Sequence, residues 1–342
     1  MSSDAASARS ATAALDSIDF EAAAARIATH VVRTPLLPLP CDDPRIDLRG
    51  KMENRQVTGA FKARGACNNI ACLSDEERAR GVVASSSGNH GRALAWAARV
   101  AGVPATIVMP QDAYPNKIEA CRAEGAEVVL AEDRIDADVV TARLAAEGRT
   151  LIHPYDRLGT IEGAGTVGWE LAHDWPDVEV VLICVGGGGL SSGSSLALRR
   201  ALGDAVRIYG VEPIGSPSMR DGLAAGEPVV LEEITTEVQG LCPPASGALN
   251  IAICATTLDG VFTPDDATIF AAQRRLVNDE PGWEAEVVEP AGACAYSAVL
   301  AEMLPAELLA DRTVDNPLRV AVTISGGNPD PAQLAAMRAD EE

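Results

Sequence analysis

The chain has 342 residues, enough for one large domain or two modest ones. Its 28 Lys and Arg against 49 Asp and Glu leave a net charge of −21, which excludes nucleic acid and anionic membrane as natural partners. Hydrophobic residues make up 47% and aromatics only 4%, so the core has to be built from Ala, Val, Leu and Ile, as in an α/β protein.

From the N-terminus, residues 1–16 read as a loose Ser-, Ala- and Asp-rich leader without the apolar stretch of a secretory signal. Residues 17–30 predict a capped helix, with Ile18, Ala22 and Ile27 on one face, broken at Thr34-Pro35-Leu36. A strand at 46–52 leads to Lys62, and a helix follows at 63–73. The chain then alternates. Strands are predicted at 81–85, 105–110, 127–130 and 150–154, with helices at 89–101, 115–124 and 137–147 between them. That is the pattern of a parallel sheet with right-handed crossovers. A second alternating block has helices at 163–173 and 191–202 and strands at 178–185 and 207–211. Residues 214–257, rich in Gly, Pro and Thr, predict loops and short helices. Helices at 264–277 and 292–300 precede a last apolar strand at 319–324, and the tail at 339–342 reads as disordered. No apolar run reaches the ~20 residues that span a bilayer. Eight scattered cysteines form no CxxC pair or Cys/His cluster, which points to reduced thiols in a cytoplasm.

In open parallel sheets ligands collect beyond the carboxyl ends of the strands. Three polar or Gly-rich turns fall there, at 85–91, 186–193 and 325–328. Val185-Gly186-Gly187-Gly188-Gly189-Leu190 follows a strand and opens a helix, so its N–H groups suit a phosphate. A dinucleotide would use Gly186 and Gly188 with Glu212 on the ribose, although the third glycine of that fingerprint falls on Ser191. A nicotinamide oxidoreductase therefore stays open on this loop alone. Ser85-Ser86-Ser87-Gly88-Asn89-His90-Gly91 is a second strand-to-helix turn able to hold a carboxylate or simply to cap its helix. No Ser-His-Asp arrangement accompanies His90. Lys62, flanked by Ala60 and Phe61 in a chain with few lysines, is a candidate for burial, which lowers an amine's pKa and makes it a nucleophile toward aldehydes. The alternative is a lysine at a helix start pointing into water.

Taken together, TGAFKARGA, SSSGNHGRALA, the Pro115-Asn116 turn, GAGTVGWEL, VGGGGLSSG, YGVEP, VEPAGA and TISGGN run in one order over residues 34–328. In this the chain resembles the fold-type II pyridoxal phosphate enzymes, whose fold is like the tryptophan synthase β subunit. It is similar above all to the serine/threonine dehydratase branch that includes serine racemase and hydroxyaspartate dehydratases. The resemblance implies two open, twisted, mostly parallel sheets flanked by helices. A large cofactor domain (1–80 plus 159–342) and a small α/β domain (81–158) would hold pyridoxal 5′-phosphate in the cleft between them. It also implies roles for particular residues. Lys62 would form the Schiff base and move the Cα proton, with Ser87 as the base on the opposite face in racemising relatives. Phe61, Asn89, Gly240 and Ser325 would contact the ring, and Gly186, Gly187, Gly188, Gly189 and Leu190 the phosphate. A neutral hydroxyl at Ser325 suits prompt loss of a β leaving group. Ser86, Ser87, Gly88, Asn89 and His90 would surround the substrate carboxylate.

Departures from the pattern concern the substrate side chain. Val238-Gln239-Gly240 stands where Ala-Asp-Gly is usual, and Leu241-Cys242-Pro243-Pro244 follows where Ser is common. Tyr155-Asp156-Arg157 replaces the usual Asn-pair segment, with Arg157 either a receptor for a second carboxylate or a surface charge. The cation position of relatives is Glu212, and the downstream acid is Ser218, so a Mg or Ca site would rest on Glu212 alone. No regulatory extension follows residue 342. The expected activity is a pyridoxal phosphate-dependent ammonia-lyase, or dehydratase, converting serine, threonine or 3-hydroxyaspartate to a 2-oxo acid and ammonia. The alternatives are a racemase in the same site, the nicotinamide enzyme, and a non-catalytic binding protein that keeps the fold. A cytoplasmic homodimer is expected.

Overall fold

The computed structural model describes residues 15–339, so the leader expected at 1–16 and the tail expected at 339–342 fall almost wholly outside the described residues. Ten strands follow one another: β1 (Leu36–Pro38), β2 (Ile46–Met52), β3 (Val82–Ser85), β4 (Ala105–Pro110), β5 (Glu127–Ala131), β6 (Thr150–Leu151), β7 (Val180–Cys184), β8 (Arg207–Val211), β9 (Gly260–Phe262) and β10 (Leu318–Ile324). They form a six-stranded sheet in the order β1-β2-β10-β7-β8-β9 and a four-stranded sheet in the order β5-β4-β3-β6. All pairs are parallel except β1 with β2. The expected fold of two mostly parallel sheets flanked by helices is the observed one.

The central strands of the large sheet are apolar on both faces. Every residue of β7 is buried, as parallel strands covered by helices require. Val180, Leu182, Val320 and Val322 anchor its core, and Val82, Ala84, Ile107 and Met109 that of the small sheet. Helix Leu158–Asp174 packs against helix Gly189–Leu202 at backbone distance. A Cβ on Gly168 would lie 2.3 Å from the Ser194 carbonyl oxygen, and one on Gly193 2.2 Å from that of Ile161. This contact is why the GAGTVG and GLSSG segments carry glycine inside helices, where glycine otherwise costs ~1 kcal/mol.

The expected and observed elements differ at the sheet edges and in short helices. β1 is bounded by Pro35 and Pro38, which read as breakers, yet proline is tolerated on an edge strand. β9 is a three-residue edge strand. Helix Asp75–Arg80 is short but announced by a capping box between Ser74 and Glu77. Helix Arg134–Ala146 starts three residues ahead of expectation because Asp133 caps it. Helix Pro331–Ala339 was not expected either. β6 stops at Leu151, short of the proline at 154, which has no N–H to offer a ladder.

Under the helix Lys62–Ala71 lies a buried charge network. Arg64 is fully buried and donates to both oxygens of Glu53, at 2.8 Å each, and to both of Glu170, at 2.7 and 2.9 Å. Lys51, also buried, pairs with Glu170 at 2.7 Å and donates to the Thr34 carbonyl at 2.6 Å. Thr34 donates to Glu53. Burial would raise the Glu53 pKa, but the Arg64 charge and hydrogen bonds win and hold it below the usual carboxylate range.

Arg64→Leu leaves the Glu53 carboxylate buried without its ion pair and is expected to cost about 3–5 kcal/mol in urea unfolding. Arg33→Ala, at the exposed Arg33–Asp174 pair, is expected to cost under about 1 kcal/mol.

Candidate active site

Lys62 begins its helix right after Phe61. Its Nζ donates to the Pro154 carbonyl at 2.7 Å and lies 5.0 Å from the Phe61 ring centroid. Burial pushes its pKa down to about 8, against the Cys184 thiol; among the described residues no carboxylate pairs with the ammonium. The chain's other two lysines differ. Lys51 is ion-paired to Glu170, and Lys117 donates to the Asn328 carbonyl. The reading of Lys62 as a solvent-facing helix-start residue is therefore not the observed one.

The tetraglycine turn joins β7 to helix Gly189–Leu202, with Gly188 left-handed at φ 98° as N-cap. Among the described residues the N–H groups of Gly186, Gly187, Gly188, Gly189 and Leu190 donate to no protein acceptor. Asn250 pins the turn from behind, donating to the Gly187 carbonyl at 2.7 Å and accepting from Ser192 at 2.7 Å. A Cβ on Gly187 would fall 2.3 Å from the Tyr155 ring. Tyr155 sits one residue after the Lys62 partner, and Asp156 accepts the N–H groups of Ala248 and Leu249. The helices starting at Lys62, Leu158, Gly189 and Ala248 thus all begin around Tyr155. Their positive ends converge where an anion would sit.

In the turn at 85–91, Ser86 Oγ accepts the N–H groups of Gly88 and Gly91, at 3.3 and 3.2 Å. The N–H groups of Asn89 and His90 have no protein acceptor among the described residues. Asn89 Nδ2 donates to Glu289 at 2.5 Å, and Asn89 Oδ1 accepts from Asn328 at 2.9 Å. Ser325 is buried at the end of β10. Its hydroxyl donates to the Ala291 carbonyl, and its own carbonyl accepts the Phe61 N–H. The Cys184 thiol responds to both Ser325 and Lys62, which brings the β7 end, the β10 end and the lysine together. The Gly240 carbonyl lies 3.1 Å from where a Gly186 Cβ would be. A cavity of about 660 Å³ opens beside Ser87, Gly88, Asn89, Gly240, Cys242 and Glu289. Lys62 is not among its lining residues.

Three expected positions have other duties. His90 is buried, with one ring nitrogen on the Ile152 carbonyl at 3.0 Å. Burial first, then the Lys62 charge, pushes its pKa down to about 3, so its side chain is a neutral structural group. Only its backbone N–H faces the turn. Arg157 donates to Asn69 and to the Leu151 carbonyl, so its guanidinium is committed away from the cavity. Of its two expected readings, these bonds support the ordinary charge rather than a receptor for a second carboxylate. Both Glu212 oxygens accept N–H groups at the start of helix Ser218–Ala225, from Met219 at 2.9 Å and Arg220 at 2.8 Å. Its carboxylate is spent on a helix end. Among the described residues no group of three His, Cys, Asp or Glu could hold a metal, so the cation reading at Glu212 gains no support. Tyr155, Asn250 and Glu289 were not singled out from sequence, although Glu289 lies in the VEPAGA segment.

The donor set fits a phosphorylated aldehyde. Five free N–H groups in a turn that side chains would fill suit the phosphate, and an enclosed amine without a counter-charge suits the carbonyl carbon. Glu212, turned to its helix, leaves a nicotinamide ribose without its acid.

Comparison with known proteins agrees. Residues 27–326 match the family described as pyridoxal-phosphate dependent enzyme. An L-threonine ammonia-lyase of Thermotoga maritima is 40% identical over 284 residues, covering 82% of this chain and 67% of that one. An L-threo-3-hydroxyaspartate ammonia-lyase of Saccharomyces cerevisiae is 35% identical, covering 93% and 94%. The solved structure of maize serine racemase superposes with a TM-score of 0.82 at 34% identity, covering 93% of this chain and 94% of its own.

Acetic anhydride labelling of the cofactor-free protein should reach half its maximal rate at Lys62 near pH 8, because only the neutral amine reacts and burial lowers its pKa to about 8. Peptide mass analysis across pH 6–11 checks this against the ~10.4 of an ordinary lysine.

Proposed function

This chain belongs to the family of pyridoxal-phosphate dependent enzymes, and we propose that it is an ammonia-lyase acting on a β-hydroxy amino acid: serine, threonine or 3-hydroxyaspartate. The observation that carries this reading is Lys62, a partly buried amine on the Pro154 carbonyl with no carboxylate partner among the described residues. When bound, pyridoxal phosphate supplies an electron-accepting ring conjugated to the substrate nitrogen. Lys62 would hold its aldehyde carbon, residues 186–190 its phosphate through their free N–H groups, and Phe61, Asn89, Gly240 and Ser325 its ring.

The substrate carboxylate is received by the free N–H groups of Asn89 and His90, with the Ser86 and Ser87 hydroxyls and the side-chain-free Gly88 beside them. With its amine free, Lys62 would take the Cα proton as a neutral base, a form that burial keeps available near pH 8. The β C–O bond then breaks with its electron pair going to oxygen, which leaves as water after taking up a proton. The released enamine hydrolyses to a 2-oxo acid and ammonia. A racemase is the second reading. It is supported by Ser87, which borders the cavity and has no hydrogen-bond partner for its hydroxyl among the described residues.

Residues 81–158 act as a small domain closing on the rest of the chain. The four-stranded sheet within 82–151 supports this, as do the bonds that Arg92, Lys117 and Tyr114 make across to Asn328 and Gln239. The working form is a homodimer in the cytoplasm. Eight free cysteines support that compartment, and among the described residues no helix is long and apolar enough to cross a membrane.

Purified protein should be yellow and release a 2-oxo acid from one of D- or L-serine, threonine or the 3-hydroxyaspartate diastereomers. Lys62→Ala should lose the visible band and about a thousandfold or more in turnover. Inversion of serine or aspartate outpacing keto-acid release on chiral analysis would make racemisation the main activity.

A further inference from the structure

An asparagine amide presents nearly the same shape either way round, so its neighbours decide which end donates. Asn89 stands in a chain of four side chains whose ends leave no such choice. Arg92 can only donate, and gives its N–H to Asn328 Oδ1 at 2.9 Å. Asn328 Nδ2 therefore faces the other way, to the Thr58 carbonyl and to Asn89 Oδ1, both at 2.9 Å. Asn89 Nδ2 in turn donates to Glu289 Oε1 at 2.5 Å. An ionised carboxylate can only accept.

Glu289 has been drawn away from the task its position offers. It is the N-cap of helix Pro290–Leu300, yet its side chain makes no capping hydrogen bond there. It turns inward to a partner 200 residues away in sequence. Gly326 makes the room: a Cβ there would lie 2.1 Å from Glu289 Oε1. Burial pushes the Glu289 pKa up, while the Lys117 charge, the Asn89 amide and the Asn328 N–H all favour its anion. Burial wins and leaves the Glu289 pKa above the usual carboxylate value; its acceptor role is fixed by geometry, with the Asn89 amide donating to it.

We propose that Glu289 is a positioning residue. As the acceptor-only end of the chain Arg92–Asn328–Asn89–Glu289, it fixes the Asn89 amide so that its second N–H is offered to the cofactor's ring oxygen. The proposal rests on the reading of Asn89 as a ring contact given above. The two are separable by a double-mutant cycle, because a residue that acts only through Asn89 has nothing to act on once Asn89 is gone.

The experiment is equilibrium dialysis of the holoenzyme against graded pyridoxal phosphate, with the visible absorption maximum recorded for each variant. Glu289→Gln, nearly the same size but neutral and able to donate, should raise the Kd roughly tenfold, the worth of one charge-assisted hydrogen bond, and shift the band. Asn89→Ala should do at least as much. In the Asn89→Ala background, Glu289→Gln should change neither the Kd nor the band. Should Glu289→Gln not fold, Arg92→Leu tests the other end in the same cycle and must also fall silent without Asn89. Independent, additive losses would mean that Glu289 only supports the Gly326 loop, and would overturn the inference while leaving Asn89 as a ring contact. An Asn89→Ala protein with unchanged Kd and band would remove the reading of Asn89 and this inference with it.

Discussion

Arg64 holds the site together from below. Two residues past Lys62, it satisfies four carboxylate oxygens of Glu53 and Glu170 from a buried position. Two charges taken out of water are worth keeping only when geometry and hydrogen bonds are nearly complete, and here both acids are taken up two-handed, with Lys51 completing Glu170. The arrangement fixes the helix Lys62–Ala71 in rotation as well as position. The lysine one turn edge away is thereby aimed at the Pro154 carbonyl and the helix starts around Tyr155. A hydrophobic contact would bury the helix as well, but it would tolerate sliding; a bidentate guanidinium does not.

The same economy shapes the anion-binding side. The turn at 186–190 uses no cationic side chain. Its donors are backbone N–H groups, kept free because Asn250 and Ser192 hold the turn through its carbonyl and its helix. Tyr155 fills the space that any side chain at Gly187 would need. Specific residues thus sit behind the glycines, whose N–H groups are left free.

Much of this was legible in sequence, for identifiable reasons. β4, β8 and the helix Asn89–Ala101 fall where expected because β-branched runs and an Ala-rich amphipathic stretch are bounded by Gly and Pro. The Lys62 and tetraglycine segments are local patterns whose chemistry follows from residue type. The rest depends on pairs distant in the chain. Glu53 and Arg64 meet Glu170 from 106 residues beyond Arg64, and Asn89 meets Glu289 across 200. No spacing rule reports such pairs, although the Arg of TGAFKARGA and the Glu of GAGTVGWEL stand among small and apolar neighbours. Arg157 and Glu212 show the converse. Each has the residue type for a ligand contact, but its polar atoms are engaged by neighbouring backbone or amide groups.

A consequence follows from pairing a net charge of −21 with a pocket whose anion donors are neutral N–H groups. At low ionic strength the outer field repels a phosphorylated or carboxylated visitor before it reaches the cleft, and mobile ions shrink that field over a Debye length of about 10 Å at 0.1 M. The interior amides are fixed dipoles shielded from those ions. Added salt therefore lowers the barrier to arrival without loosening the grip, the opposite of an enzyme that captures its anions with surface lysines.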